Sequence, residues 1–135
     1  MIKVNKLCVI DDDEIYTFTV KRLIKQTGAA EETLFFENGQ MAIDHFVNYQ
    51  HQPDMLPEVI LLDLNMPVLD GWQFLDQFTQ LVPAFDKSIT VYIVSSSIDE
   101  ADYIRAKAIR EVSDFIVKPV NADTLRNLVG RLNAA

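Results

Sequence analysis

Five short apolar runs alternate with amphipathic stretches along this chain, and this alternation restricts the possible folds more than any other feature. The runs are mostly β-branched or aromatic, and several are apolar throughout, as expected of strands covered on both faces. They occupy residues 7–10, 34–36, 59–62, 91–94 and 115–117. The sequence therefore predicts five buried strands.

The stretches between and after these runs carry apolar residues at helical spacing, which predicts amphipathic helices. The third and last helices have the clearest apolar faces, formed by Phe74, Leu75, Phe78 and Leu81, and by Leu125, Leu128, Val129 and Leu132. Ser97 and Glu100 have the spacing of a capping box at the start of the fourth helix. Asn121 and Asp123 are both candidates to cap the fifth.

Strict alternation of strands and helices predicts an α/β fold, a doubly wound parallel sheet of five strands with five helices on both faces. Right-handed crossovers leave only a few such arrangements. The length of 135 residues suits one domain, and 49% hydrophobic with 24% charged residues is a globular composition. We expect a single domain over residues 1–135 with no output domain, because the fifth helix ends at the C-terminus.

Charge and hydropathy disfavour several classes of partner. The formal net charge of −8 disfavours nucleic acid, whose phosphates must be met by clustered Lys and Arg. No apolar run is long enough to span a bilayer, and the first residues do not resemble a signal peptide. The single cysteine, Cys8, lies inside an apolar run, where it is expected to act as a small hydrophobic residue. These features predict a cytoplasmic protein that binds neither nucleic acid nor membrane.

Polar residues follow four of the five apolar runs directly. Asp11 and Asp12 follow the first run, Asp63 the third, Ser95 the fourth and Lys118 the fifth. All parallel strands end at the same edge of the sheet, and open α/β sheets bind their ligands at that edge. We therefore expect these five side chains to converge on one rim.

A cluster of three carboxylates needs positive charge nearby. Two unit charges about 5 Å apart repel by roughly 3 kcal/mol at an effective dielectric constant of about 20, so three pairs approach the total stability of a small domain. Lys118 supplies one positive charge, and Mg²⁺ is the expected cofactor because it combines a few carboxylates with waters and phosphate oxygens. The expected ligands are Asp12 directly, Asp11 through water, Asp63, and the backbone carbonyl of Asn65.

This combination of groups predicts phosphoryl chemistry, in which a protein mainly positions groups and neutralises charge. Asp63 is the expected phosphoryl acceptor. Lys118 is expected to pair with Asp63 before the reaction and with the phosphate afterwards. Ser95 is expected to hydrogen-bond a phosphoryl oxygen, and its position favours it over Ser96 and Ser97.

These motifs resemble the receiver domains of bacterial response regulators, which carry signals in two-component systems. The matching segments are Val9-Ile10-Asp11-Asp12-Asp13, Leu61-Leu62-Asp63-Leu64-Asn65-Met66-Pro67 with Asp70-Gly71, Val94-Ser95-Ser96, and Phe115-Ile116-Val117-Lys118-Pro119. Each segment alone is weakly specific, but the four in this order are highly specific. The resemblance covers essentially the whole chain, and it implies the flavodoxin-like strand order 2-1-3-4-5.

The resemblance also implies a mechanism and partners. A phosphohistidine of a sensor kinase or phosphotransfer protein would donate its phosphoryl group to Asp63, and acetyl phosphate would serve as a small donor. Ser95 would then move towards the phosphate and Phe115 would turn inward. The face made by helix 4, strand 5 and helix 5 would change its preference for an unknown downstream protein, with the chain a monomer or weak dimer.

Several positions depart from the family pattern. Val112-Ser113 stands where many relatives have Gly-Ala, so the turn into the last strand is expected to differ. Phe115 lacks the hydroxyl of the tyrosine in some relatives, and a plain core role is as good an interpretation as a switch. Asn65 and Ser97 would flank the attacking water and influence how long the phosphorylated state lasts.

Two other functions remain open from the sequence. An aspartate-nucleophile phosphatase of the haloacid dehalogenase type combines similar residues on a related sheet, but its usual second aspartate is Asn65 here, and no cap domain is expected. Steady hydrolysis of a phosphate ester that is lost in Asp63→Asn would support that alternative. A third possibility is an interaction module that no longer accepts phosphate, which failure to bind Mg²⁺ or beryllofluoride would support.

Overall fold

The computed structural model, which describes residues 4–66, 68–96 and 99–133, shows strands and helices alternating along the chain. The strands are β1 (Val4–Ile10), β2 (Ala30–Phe36), β3 (Val59–Leu62), β4 (Thr90–Ser95) and β5 (Val112–Val117). The helices are α1 (Glu14–Thr27), α2 (Gly39–Asn48), α3 (Gly71–Leu81), α4 (Glu100–Lys107) and α5 (Ala122–Asn133). Short 3-10 turns at Pro53–Met55 and Val82–Ala84 precede β3 and follow α3.

The five strands form one parallel sheet in the order β2-β1-β3-β4-β5. This confirms the predicted doubly wound α/β fold and its strand order. The register aligns the carboxyl ends of the central strands, because Ile10 pairs with Leu62 and Leu62 with Ile93. Residues that directly follow β1, β3 and β4 therefore emerge side by side.

Helices cover both faces of the sheet, as predicted. On one face, α1 and α5 pack against the sheet in an apolar cluster that includes Tyr16, Leu125, Val9 and Leu61. On the other face, α2 and α3 form a cluster rich in aromatic rings, and α4 adds Ala106 as its one buried residue. Alternate residues of each central strand enter opposite clusters, which explains why these strands are apolar throughout.

Strand lengths and one helix cap differ from the sequence predictions. The outer strand β2 begins four residues before the predicted run, at Ala30, because an edge strand tolerates the polar Glu31 and Glu32. Helix α4 begins at Glu100, and its cap is Asp99, whose side chain accepts a hydrogen bond from the Asp102 N–H at 2.7 Å. Ser97, the predicted cap, lies outside the described residues.

Strand pairing and a side-chain cap define where β5 and α5 begin. Val112 and Ser113 belong to β5, and the pairing with β4 shifts by one residue between Val91 and Tyr92. The side chain of Asn121 accepts a hydrogen bond from the Thr124 N–H at 2.8 Å, which selects Asn121 over Asp123 as the cap of α5. Within the described part of the chain, no helix has the length and apolarity that crossing a bilayer requires.

Candidate functional site

The turn after β1 places two carboxylates at the rim of the sheet. The Asp11 N–H donates to the Phe36 carbonyl at 3.0 Å, which extends the β1–β2 pairing by one residue. Asp11 is buried, and its Oδ1 accepts the Asp13 N–H at 2.9 Å. Asp13 in turn caps α1 by accepting the N–H groups of Ile15 and Tyr16. Within this acidic run, Asp13 therefore caps the helix, while Asp12 remains exposed at the rim.

Asp63 follows β3 and is held at the same rim. Its N–H donates to the Ile10 carbonyl at 3.0 Å, and its Oδ1 accepts the Asn65 N–H at 3.4 Å. The chain then returns to the strand end, where the Gly71 N–H donates to the Leu64 carbonyl at 3.0 Å. A Cβ on Gly71 would lie 2.6 Å from the Asp63 carbonyl oxygen, so only glycine permits this close approach.

Ser95 and Lys118 come from the ends of the last two strands. Ser95 is buried at the end of β4 and pairs with Val117 of β5. One residue further on, the Lys118 N–H donates to the Ser95 carbonyl at 2.9 Å. This backbone bond fixes the spacing of the two strand ends and carries the Lys118 side chain over the rim. The Lys118–Pro119 peptide bond that follows is cis.

The three carboxylates of Asp11, Asp12 and Asp63 form one acidic cluster, with one oxygen from each within 4.8 Å of the others. Burial is the main cause that raises the pKa of Asp63 to about 6, and the Asp11 charge adds to it. Lys118 and the Asn65 N–H act in the opposite direction. Burial likewise raises the pKa of Asp11, against the lowering effect of Lys118. The cluster is therefore short of positive charge.

The ammonium of Lys118 lies against Asp11, whereas the sequence predicted a pair with Asp63. Its Nζ is 2.9 Å from Asp11 Oδ2, which makes a close ion pair. The Asp11 side chain is 1% exposed, so its charge has little access to water and the ammonium is its close counter-charge. Lys118 still lowers the pKa of Asp63, so the ammonium acts on both carboxylates.

The donor set fits a hard divalent cation. Carboxylates from two strand ends converge, one of them exposed and two buried, and burial together with the Asp11 charge raises the pKa of Asp63. Mg²⁺ prefers oxygen ligands and retains several waters, which the exposed side at Asp12 would admit. Asp11, Asp12 and Asp63 are the residues that could hold it. Asn65 is exposed immediately beyond Asp63, where its backbone carbonyl is the further candidate.

Two aromatic residues border the site. Phe115 is half-buried in β5 and stacks on Tyr103 of α4, with ring centroids 5.8 Å apart. Tyr16, which the sequence interpretation missed, lies in the first turn of α1 with its ring 4.3 Å from the Lys118 Nζ. The only signal in the sequence was an aromatic residue one helical turn after Asp12, a pattern equally typical of a core position.

Comparison with known proteins gives one consistent family. The sequence profile of the response regulator receiver domain matches residues 7–130. A two-component response regulator from Cytophaga hutchinsonii superposes with a TM-score of 0.88 and 31% identity, over 98% of this chain and 99% of that chain. A response regulator receiver protein from Dyadobacter fermentans DSM 18053 superposes with a TM-score of 0.79 and 30% identity, over 93% of this chain and 95% of that one.

A longer relative shows the same similarity over part of its length. The transcriptional regulatory protein DegU of Brevibacillus brevis is 27% identical over 120 residues, which are 89% of this chain. The chain covers 46% of that protein, so it spans about half the length of this relative.

Proposed function

The chain belongs to the response regulator receiver domain family, and from this premise we propose that it is a phosphorylation switch whose acceptor is Asp63. Membership makes it a signalling protein of a two-component system, consistent with phosphorylation-dependent signalling. The observation that carries the specific proposal is the gathering of Asp11, Asp12 and Asp63 within 4.8 Å, beside the Lys118 ammonium. Such a charge arrangement is unfavourable alone and becomes favourable with a divalent cation, which also accepts phosphate oxygens as ligands.

Each residue has a role that its position supports. The carboxylate of Asp63 attacks the phosphorus atom of the donor, and the bond from phosphorus to the donor nitrogen or oxygen breaks. Lys118 and Ser95 neutralise and orient the phosphoryl oxygens. Receiver domains bind Mg²⁺ at this acidic pocket, and here Asp11, Asp12, Asp63 and the Asn65 carbonyl are its proposed ligands; the cation supplies further neutralisation of phosphoryl charge.

The proposed partners act at two different places. The donor is a phosphohistidine of a sensor kinase or a phosphotransfer protein, which must reach Asp63 at the rim. The output is a separate protein that recognises the face of α4, β5 and α5. That face carries exposed apolar side chains, namely Tyr103, Ile104 and Val117, which a partner could cover. The 135 residues are proposed to work as one receiver unit, in the cytoplasm, as a monomer or weak dimer.

The switch is proposed to connect Ser95 with Phe115. Movement of Ser95 towards a bound phosphoryl group would shift the end of β4. Phe115 pairs with Ile93 on that strand. Phe115 also stacks on Tyr103 of α4, so an inward turn of its ring would release this contact. In this way, a change at the phosphoryl site would alter the output face.

Intact-mass analysis after incubation with acetyl phosphate and Mg²⁺ tests the assignment of Asp63. The wild-type protein should gain the mass of one phosphoryl group, because the proposal assigns a single acceptor, Asp63. Asp63→Asn should gain none, and neither should the wild type in EDTA. Asp76→Asn, which changes an exposed aspartate on α3, is the matched control and should label like the wild type.

Several results would contradict the proposal. A wild-type protein that stays unlabelled with a phosphohistidine donor and with acetyl phosphate would favour the phosphate-independent interaction module. Steady hydrolysis of a phosphate ester that depends on Asp63 would favour the phosphatase alternative. Labelling of Asp63→Asn at the wild-type rate would place the acceptor elsewhere.

A further inference from the structure

Among the described residues, the Lys118 ammonium lies close to both a carboxylate and an aromatic ring. Its Nζ lies 2.9 Å from Asp11 Oδ2 and 4.3 Å from the centroid of the Tyr16 ring. The Lys118 side chain is 18% exposed, so the ammonium is largely shielded from water. A cation over an aromatic face is attracted by the ring quadrupole, and the attraction is stronger where water is excluded.

A backbone hydrogen bond and burial hold Tyr16 in place, so its ring has a fixed position. Its N–H is bound by the Asp13 side chain at 3.2 Å at the start of α1. The residue is buried in the cluster that α1 and α5 form against the sheet. Its hydroxyl oxygen is also buried and has no hydrogen-bond partner among the described residues. The hydroxyl therefore contributes no hydrogen bond within the described chain, and the ring is the part of Tyr16 that contacts Lys118.

The two contacts of Lys118 change differently during the proposed reaction. If Mg²⁺ binds, Asp11 interacts with the cation as well, so its ion pair with the Lys118 ammonium weakens. The ring of Tyr16 carries no charge to share and keeps its attraction throughout. A lysine side chain otherwise gains rotational freedom when its carboxylate partner is withdrawn.

We propose that Tyr16 is a positioning residue, whose ring keeps the Lys118 ammonium over the rim while its partner changes from Asp11 to the phosphoryl group on Asp63. This role rests on the proposed function. The Tyr16 hydroxyl has no hydrogen-bond partner among the described residues, and the proposed role is exercised through Lys118. The aromatic face is the required feature, whereas the hydroxyl is dispensable.

A pair of substitutions separates the ring from the hydroxyl. Tyr16→Leu removes the ring and keeps an apolar side chain, and we expect kcat/KM for phosphorylation by acetyl phosphate to fall about tenfold, in line with the strength of a shielded cation–π contact. Tyr16→Phe keeps the ring and should stay within about twofold of the wild type. Urea unfolding of each variant establishes that the compared proteins are folded. Tyr16→Met replaces Tyr16→Leu if the latter does not fold.

An NMR measurement tests the contact without any phosphorylation. The ε-methylene protons of Lys118 should be shifted upfield by the ring current in the wild type and in Tyr16→Phe, and the shift should disappear in Tyr16→Leu. Wild-type resonances at the ordinary lysine position would overturn the inference. Equal rates for Tyr16→Leu and the wild type, or equal losses in Tyr16→Leu and Tyr16→Phe, would also overturn it.

Failure of the proposed function can be distinguished from failure of the role proposed for Tyr16. A wild type that accepts no phosphoryl group would overturn the proposed function, whatever the Lys118 resonances show. Normal phosphorylation with unperturbed Lys118 resonances would overturn only the role of Tyr16.

Discussion

At the scale of single residues, the Asp63 carboxylate is held at the rim at a cost to stability. Its pKa of about 6 in the folded protein exceeds the ordinary value of 3.8, mainly because of burial and secondly because of the Asp11 charge. Between about pH 4 and pH 6, Asp63 therefore holds a proton in the folded state that it has already lost in the unfolded chain. In the absence of metal, this penalty develops as the pH rises from about 4 to about 6 and is complete above that range.

Urea unfolding as a function of pH is expected to reveal this penalty. Since Asp63 binds more protons in the folded than in the unfolded state between pH 4 and 6, its contribution to the free energy of unfolding falls as pH rises through that window. The expected loss is about 1–3 kcal/mol at neutral pH without metal. Mg²⁺ should restore stability at pH 7 and do little at pH 4, where the carboxylate is protonated.

Asp63→Asn isolates this effect, because the amide has nearly the same shape and no charge. In metal-free buffer at pH 7, the variant should be more stable than the wild type by about 1–3 kcal/mol, and the difference should shrink towards pH 4. Asp76→Asn on the exposed side of α3 should change little at either pH. An Asp63→Asn variant that is less stable than the wild type at pH 7 would show that burial and the Asp11 charge do not destabilise the carboxylate.

At the scale of elements, α4 is the least firmly attached helix among those described on its face. Ala106 is its single buried residue, and its other attachments are surface contacts. Arg105 lies over the ring of Trp72 at 4.3 Å from the centroid, which links α4 to the first turn of α3. Tyr103 stacks on Phe115 of β5. A helix attached in this way can shift without disrupting the core.

The Arg105–Trp72 contact gives a direct optical prediction, since Trp72 is the only tryptophan of the chain. Arg105→Ala uncovers one face of the indole, so acrylamide should quench its fluorescence more efficiently, with a stability loss of about 0.5–1 kcal/mol. Arg110→Ala removes the same charge from an exposed position just after α4 and is the matched control. Identical quenching of both variants would mean that Arg105 does not cover Trp72 in solution.

The elements also show how far the sequence alone predicts this structure. The run 59–62 coincides with β3, whose four residues are all apolar and buried. The outer strands β2 and β5 exceed their apolar runs, since polar residues such as Glu32 and Ser113 sit at a sheet edge without cost. Asp11 and Asp63 could be placed at the rim because each directly follows a strand. The Lys118–Asp11 pair and the Tyr16 contact depend on side-chain packing, which strand order does not determine.

At the scale of the whole molecule, exposed apolar surface on α1 lies close to the acidic rim. Two large apolar side chains of α1 face solvent close to the acidic rim, with Ile15 exposed to 81% and Phe18 to 61%. Phe18 also lines a groove of about 500 Å³ that extends to Asp12. We expect the phosphohistidine donor to cover this surface, because its reactive group must reach Asp63 beside it.

Substitution of Phe18 separates docking from chemistry. The donor for this test is a phosphorylated histidine protein that labels the wild type. With this donor, Phe18→Ala should lower kcat/KM for phosphoryl transfer about tenfold or more, as expected for a central aromatic contact. The rate with acetyl phosphate should not change, because this small donor needs no docking surface. Val47→Ala removes a partly exposed apolar side chain near the far end of α2 and should leave both rates unchanged. Equal losses with both donors would indicate damage to the rim itself, and an unchanged rate with the protein donor would mean that the donor binds elsewhere.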